Sequence, residues 1–197
     1  MSGPGRPRSE AARGAVLGAA LELVEEGGYP ALTMEGIARR AAVSKQTIYR
    51  WWPNKAAIVL EALNEGAAAI APLPDAGTLA EELRVFVRRS VLGGRGRTAQ
   101  LLVALMAEAQ LDESFARSFR DGFLAQRRGV MVELLSRAQA RGEIGTEEDL
   151  ELIAEVFFGA LWYRLLAASG PVNRRFADEL AELLMVLLAE RNRPARG

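Results

Sequence analysis

The chain has no cysteine and no histidine. Without cysteine there is no disulfide, no thiolate nucleophile and no thiolate metal ligand; without histidine the commonest general base and zinc ligand are missing as well. The remaining Ser, Asp, Glu and Lys residues fall into no catalytic spacing, so neither an enzyme nor a metal or cofactor is expected. Lysine is nearly absent too, with Lys45 and Lys55 standing against 23 arginines, a bias that reads as genomic base composition. Net formal charge is zero, so the whole chain is no polycation. Long apolar runs are also lacking. A membrane span needs roughly 18 such residues, and Glu155 and Arg164 interrupt the richest stretch. The opening MSGPGRPRSEAAR holds no apolar core of signal-peptide length, so the cytoplasm is the expected compartment.

What is present is helical patterning. Of 197 residues half are apolar and a quarter charged, ordinary values for a globular chain. Residues 10–26 place Val16, Ala20, Leu23 and Val24 on one face before Gly27-Gly28 stop the helix. Two short helices follow, then one over 55–71 that Asn54 would cap. Further on, Leu79 to Val91, Leu101 to Ala109 and a long rod from Asp112 or Ser114 to Ala140 carry helical spacing. Thr146 to Asp149 resembles a capping box for a helix reaching Ser169, and Asn173 would cap the last. No segment alternates like a strand. The fold class is all-α, about nine helices. The Pro72-Leu73-Pro74-Asp75-Ala76-Gly77 punctuation divides it into a head, 1–71, and a body, 72–197. Residues 1–55 carry eight basic and five acidic side chains and the remainder is correspondingly acidic, which suits a DNA-facing head on a DNA-avoiding body.

The richest stretch is Thr33 to Lys55, TMEGIARRAAVSKQTIYRWWPNK. Thr33 and Ser44 are N-caps of two short helices, with Met34, Ile37, Ala38 and Ala41 on the apolar face of the first. Only a tight turn fits between them, and Val43 can plug their angle. This is helix-turn-helix geometry, whose second helix can enter the major groove of DNA. Lys45, Gln46 and Thr47 would face base edges, with Ile48 and Trp51 or Trp52 behind them. Tyr49, Arg50 and Lys55 are placed for phosphates, Lys55 and Thr33 at helix starts where free N–H groups attract an anion. The same two-helix pattern also occurs as a plain αα-corner, but the caps and the preceding amphipathic helix favour the DNA reading. Arg6 and Arg8 around Pro7 could form a minor-groove arm.

The motif Thr33-x-x-x-Ile37-Ala38-x-x-Ala41-x-Val43-Ser44, followed by Thr47-Ile48-Tyr49-Arg50-Trp51-Trp52-Pro53-x-Lys55, resembles the TetR family of bacterial transcriptional regulators. The match is specific over roughly residues 10–60 and rests on length and helix order beyond 72. The resemblance implies phosphate contacts at Tyr49 and Lys55, helix-start contacts at Thr33 and Ser44, and base contacts at Lys45, Gln46 and Thr47. Two positions depart from the family pattern. Ala42 stands where glycine is usual, at a cost of about 1 kcal/mol if left-handed, and Gly36 stands where an acidic residue is usual.

Between Leu150 and Ala168 the penultimate helix is apolar on nearly every side, so it must be covered by its own domain and by something else. A two-fold dimer through the last two helices, centred on Phe157, Phe158, Leu161, Leu165, Leu180, Leu184 and Leu187, is the economical explanation and the arrangement the resemblance implies. The resemblance further implies a palindromic double-stranded DNA operator and a small-molecule effector in the body. Candidate lining residues are Phe86, Met106, Phe119, Phe123, Met131, Trp162 and Tyr163, with Arg88, Glu108 or Arg127 to orient a polar end. The resulting expectation is a homodimeric, effector-released repressor. An α-helical enzyme or a helical interaction protein without DNA binding are the alternatives.

Overall fold

A computed structural model describes residues 6–70 and 76–191, apart from the side chains of 6–9, 66–70 and 190–191. Among the described residues every regular element is helical: α1 (Arg6–Gly27), α2 (Met34–Arg40), α3 (Lys45–Trp51), α4 (Lys55–Ile70), α5 (Leu79–Gly93), α6 (Gly96–Leu111), α7 (Glu113–Ser118), α8 (Ala125–Ala140), α9 (Leu150–Ala167) and α10 (Arg174–Arg191). A 3-10 turn, Tyr29–Ala31, precedes α2, and a π-helical stretch, Phe119–Leu124, joins α7 to α8. Read as one rod, α7 to α8 gives the nine helices the pattern predicts.

Local chemistry explains most boundaries. Asn54 Oδ1 accepts from the Ala57 amide at 2.9 Å at the start of α4, and Asn173 Oδ1 from the Phe176 amide at 3.0 Å at the start of α10. Asp112 caps α7 by accepting from both Ser114 and Phe115. One predicted cap moves. Asp149 caps α9 by accepting from Leu152 N at 3.0 Å, three residues after the expected Thr146. An aspartate directly before the apolar run offers the first turn a charged acceptor, and Thr146 lies too far upstream to reach it.

The chain forms two compact units, Met1–Ile70 with Gln100–Phe123, and Ala71–Ala99 with Leu124–Gly197. Residues 100–123, which lie past the sequence-level boundary at 72, thus group with the N-terminal segment. In the first unit α1 packs on α4 and α2, burying Val16, Ala20 and Val24 with Ile37, Ile48, Ile58 and Val59. Arg13 of α1 clamps α4 by pairing with Glu61 and Glu65.

In the second unit α5 packs against both α8 and α10, and α9 against α8. Leu83, Phe86, Val87, Met131, Leu134, Leu135, Phe157 and Leu184 make its core. Within it lies Glu82, fully buried, whose carboxylate accepts from Arg137 at 3.3 Å and Arg141 at 3.2 Å. A buried carboxylate persists only when so paired, because removing its partners costs about 3–5 kcal/mol. No helix among the described residues is long and apolar enough to cross a membrane.

Candidate nucleic-acid interface

The head of the chain builds its interface from two capped helices. Thr33 is extended (φ −131°, ψ 151°) and its hydroxyl accepts from the Gly36 amide at 3.0 Å, which starts α2. Gly36 is buried there, and a Cβ would come within 3.1 Å of Thr33 Oγ1. The absence of a side chain at 36 thus keeps the cap tight. The acidic residue of this first turn is Glu35 instead.

α2 ends in a Schellman motif. Val43 N donates to Ala38 O at 3.1 Å and Ala42 N to Arg39 O at 3.4 Å, with Ala42 left-handed at φ 54°. The turn therefore adopts the geometry glycine would favour, with alanine carrying the strain. Ser44 follows as the cap of α3: its Oγ accepts from the Thr47 amide at 3.1 Å and lies 2.9 Å from Thr47 Oγ1.

Along α3 only Ile48 is buried, anchoring the helix to the core. Trp52, just past its end, is buried as well, and its indole N–H donates to Glu61 at 2.6 Å. Trp51 packs edge-on against it at 5.3 Å and carries the Arg50 guanidinium 5.5 Å above its ring. Lys45, Gln46, Tyr49 and Arg50 are exposed, while Thr47 is half-buried beside the cap. The amphipathic split expected of a groove-entering helix is therefore present: one apolar anchor behind, polar side chains in front.

Two lysines have partners that sequence spacing did not reveal. Lys45 pairs with Glu35 across the two helices, and this contact, with a smaller contribution from Glu35's own backbone, holds the carboxyl below its ordinary value. Lys55 is half-buried, donating to the carbonyls of Tyr29 at 3.1 Å and Leu32 at 3.0 Å, with its Nζ 4.5 Å from the Tyr29 ring centre. The expectation of a phosphate contact at Lys55 does not include this bracing role. Two of the three ammonium hydrogens brace the start of α4 against the 3-10 turn before α2, which leaves one for solvent or a ligand. Arg6 and Arg8 lie in the first turn of α1 rather than on an extended arm, and their side chains fall outside the described residues.

Residues 16–62 match the family described as "Bacterial regulatory proteins, tetR family", and residues 73–184 match "Tetracyclin repressor-like, C-terminal domain". The chain belongs to the TetR family. It is 34% identical over 176 residues to the uncharacterized HTH-type transcriptional regulator YdeS of Bacillus subtilis, covering 89% of each chain. It is 30% identical to the DNA-binding transcriptional repressor TetR of Mycobacteroides abscessus, covering 92% of this chain and 95% of that one. Among solved structures, the TetR-family regulator SCO0332 superposes with a TM-score of 0.79 at 31% identity, over 93% of this chain and 99% of that one. As a TetR-family member the protein is a helix-turn-helix transcriptional regulator, a family of DNA-binding proteins and not of enzymes.

The other predicted residues are placed less uniformly. Of the expected TetR-type effector lining, Met106, Phe119 and Phe123 belong to the first unit and Phe86, Met131, Trp162 and Tyr163 to the second. Phe119 stacks on Phe123 at 5.7 Å and Phe86 tilts against Phe157 at 5.6 Å, so each unit has its own aromatic cluster. Tyr163 is 66% exposed and lines no interior. The expected dimer residues divide as well. Phe157, Leu161, Leu180 and Leu184 are buried in their own subunit's core, Phe158 and Leu165 pack partly against it, and Leu187 faces outward.

The apolar residues that α9 leaves exposed are Leu152, Val156, Tyr163 and Leu166, and those of α10 are Leu183, Val186 and Leu187. Their spacing follows one helical stripe on each helix. Sequence reasoning also missed Glu35 as a partner of Lys45, and Arg39, exposed in the last turn of α2. Neighbouring Arg40 is tied to Glu26 at 2.8 and 2.9 Å and to Glu22 at 3.1 Å. The Arg39-Arg40 doublet at the end of a short helix was the available signal. Which of the two is held by α1 depends on helix phase alone.

Proposed function

We propose that the protein is a homodimeric repressor that holds a palindromic operator with two heads and releases it when a small molecule binds the body. The observation that carries this reading is the pair of exposed apolar stripes on α9 and α10. Single exposed apolar residues need no partner, whereas seven in two stripes on one unit call for burial. A second copy supplies it with two-fold symmetry, packing α9 and α10 of each subunit into a four-helix bundle. In this reading Lys45, Gln46 and Thr47 face bases, while Thr33, Ser44, Tyr49, Arg50 and the remaining N–H of Lys55 face phosphates. The protein then works in the cytoplasm, where the DNA is. The name of the Mycobacteroides abscessus relative supports repression over activation.

The test joins light scattering to a random-sequence DNA selection. The wild type should elute as a dimer and select a palindrome with half-sites about one helical turn apart. A Val156→Glu, Leu183→Glu variant should elute as a folded monomer and lose most of its operator affinity. A monomeric wild type that selects an asymmetric site would overturn the proposal.

A further inference from the structure

The arginines of the second unit differ in what they face. Arg88 pairs with Asp178 at 2.5 Å, Arg137 with Glu82, and Arg141 with both Glu82 and Glu143. Each is about one-third exposed and each has a carboxylate. Among the described residues Arg164 meets no carboxylate, donating to the Pro171 carbonyl at 3.0 Å with its guanidinium 4.0 Å from the Phe176 ring centre. Arg127 meets none either, and differs from Arg164 in standing on the core face of a helix. It lies on the buried side of α8, in register with Met131, Leu134, Leu135 and Ala138, all fully buried. Its Nη2 donates to Ser90 Oγ of α5 at 2.8 Å, and its guanidinium carbon lies 5.8 Å from the centre of the Phe86 ring. Both partners are neutral, and among the described residues no carboxylate pairs with it. Burial accordingly pulls the guanidinium below its ordinary pKa, the direction expected of a cation taken from water without a counter-ion.

A guanidinium has five N–H donors in a planar fork, and the Ser90 hydroxyl can satisfy only one. A cation on a core face is costly unless it is paired and hydrogen-bonded, and an anion beside the fork would supply the pairing that Ser90 does not. The surroundings restrict which anion. Phe86 leans on Phe157, which leans on Phe158 at 4.7 Å, so the wall beside the fork is aromatic. One planar cation beside a hydroxyl and an aromatic wall fits one carboxylate on an apolar body, whereas a phosphate dianion would call for more positive charge.

We propose that Arg127, with Ser90, anchors the carboxylate of an apolar carboxylic-acid effector whose body lies against Phe86 and its aromatic neighbours. The inference rests on the reading of the protein as effector-released. It names the class of that effector and the residue that selects it.

The experiment compares octanoate and benzoate with the neutral isosteres octanol and benzyl alcohol, using the full-length protein. Binding is followed by calorimetry, and release of the selected operator by fluorescence anisotropy. The carboxylates should bind at least tenfold more tightly than the alcohols, and Arg127→Gln should abolish that preference while leaving operator affinity without ligand unchanged. Arg127→Met, similar in volume, should keep or raise Tm, because it removes an unpaired charge. Equal binding of acids and alcohols, or an unchanged preference in Arg127→Gln, would overturn the anchoring role and leave the effector reading standing. Failure of all four compounds to bind or to release DNA would count against both. A fall of several degrees in Tm for Arg127→Met would assign the guanidinium a purely structural place.

Discussion

Replacing Lys55 with methionine separates two jobs that sequence had merged into one. Methionine keeps most of the stem and removes the ammonium. The wild-type ammonium donates at 3.1 and 3.0 Å to the carbonyls of Tyr29 and Leu32, residues that are themselves buried. A hydrogen bond to a charged group contributes about 1.5 kcal/mol at the lower end of the usual range. The ring contact at 4.5 Å adds roughly 0.5 kcal/mol. The carbonyls regain some water when the ammonium goes, so the net loss should be about 2 kcal/mol rather than the full sum of ~3.5. For a chain of this length that lowers Tm by about 4–8 °C. Urea unfolding read by tryptophan fluorescence suits the case, because Trp52 is buried in the same head. In the proposed DNA complex the remaining N–H faces one phosphate, so the slope of log affinity against log salt should become shallower by about 0.9. A wild-type unfolding midpoint would refute the brace; an unchanged salt slope would remove the phosphate contact and leave the brace alone.

Three other changes probe neighbouring features. Ala42→Gly relieves a left-handed alanine, worth roughly 1–2 kcal/mol, against a gain of ~0.4–1 kcal/mol in unfolded-chain entropy. The variant should therefore be more stable by about 0.5–1 kcal/mol with operator affinity within about threefold of wild type, and a destabilised variant would show that the turn is not strained. Glu35→Gln frees Lys45 and removes a negative charge from the proposed DNA face, so affinity for non-specific duplex at low salt should rise by about two- to tenfold; unchanged or weaker binding would mean that Lys45 stays away from DNA. Lowering the pH should weaken the fold. Glu143 is pushed up by burial but pulled down further by the Leu79 amide and Arg141, and Asp178 is held down by Arg88, so both carboxyls sit below their ordinary values of 4.5 and 3.8. Above those values the native ion pairs contribute in full. As pH falls through them the unfolded chain takes up protons first, and stability drops until the native groups protonate as well. Urea midpoints that stay flat between pH 5 and about 3 would refute the linkage.

The head was legible because its determinants are local. Thr33, Ser44 and Asn54 each cap a helix three residues before the amide they accept from, and such spacing can be read along the chain. Ala42 was legible through the family resemblance, which puts glycine at that turn position, and its φ of 54° is the left-handed conformation glycine would favour. What escaped reading acts through space. Lys55 meets the carbonyl of Tyr29, 26 positions away, Glu35 meets Lys45 ten positions on, and Glu61 receives the Trp52 indole. None of these pairs lies at a helical repeat, so only packing reveals them. For the two lysines, a charged side chain expected to meet DNA already has a protein partner, which turns its expected contact into a competition.

The body was legible in kind but not in phase. The apolar excess of residues 150–168 implies cover on two sides, because hydrophobic residues around a whole helix exceed what one packed face can bury, and one of those sides is the subunit's own core. Composition, however, does not say which side meets the subunit's own core. Phe157 and Leu161 on α9 and Leu184 on α10 were assigned to the dimer interface, yet all three fill the subunit's own core. Leu152, Val156 and Leu166, offset from Phe157 and Leu161 around α9, stay exposed. Rotation of a helix about its axis is set by the grooves of its neighbours, here α8 and α10, and those grooves are made by residues distant in sequence. Arg127 illustrates the same point from the other side. Its spacing to Met131, Leu134 and Leu135 matches the buried stripe of α8, so the sequence already placed a charge on a core face. What only the packing adds is that α5 offers it Ser90 and Phe86 and no carboxylate. A charge on a core face with an acidic partner, such as Arg137 beside Glu82, is explained by the fold; Arg127, half-buried with only Ser90 and the Phe86 ring, is the one the proposed effector would pair.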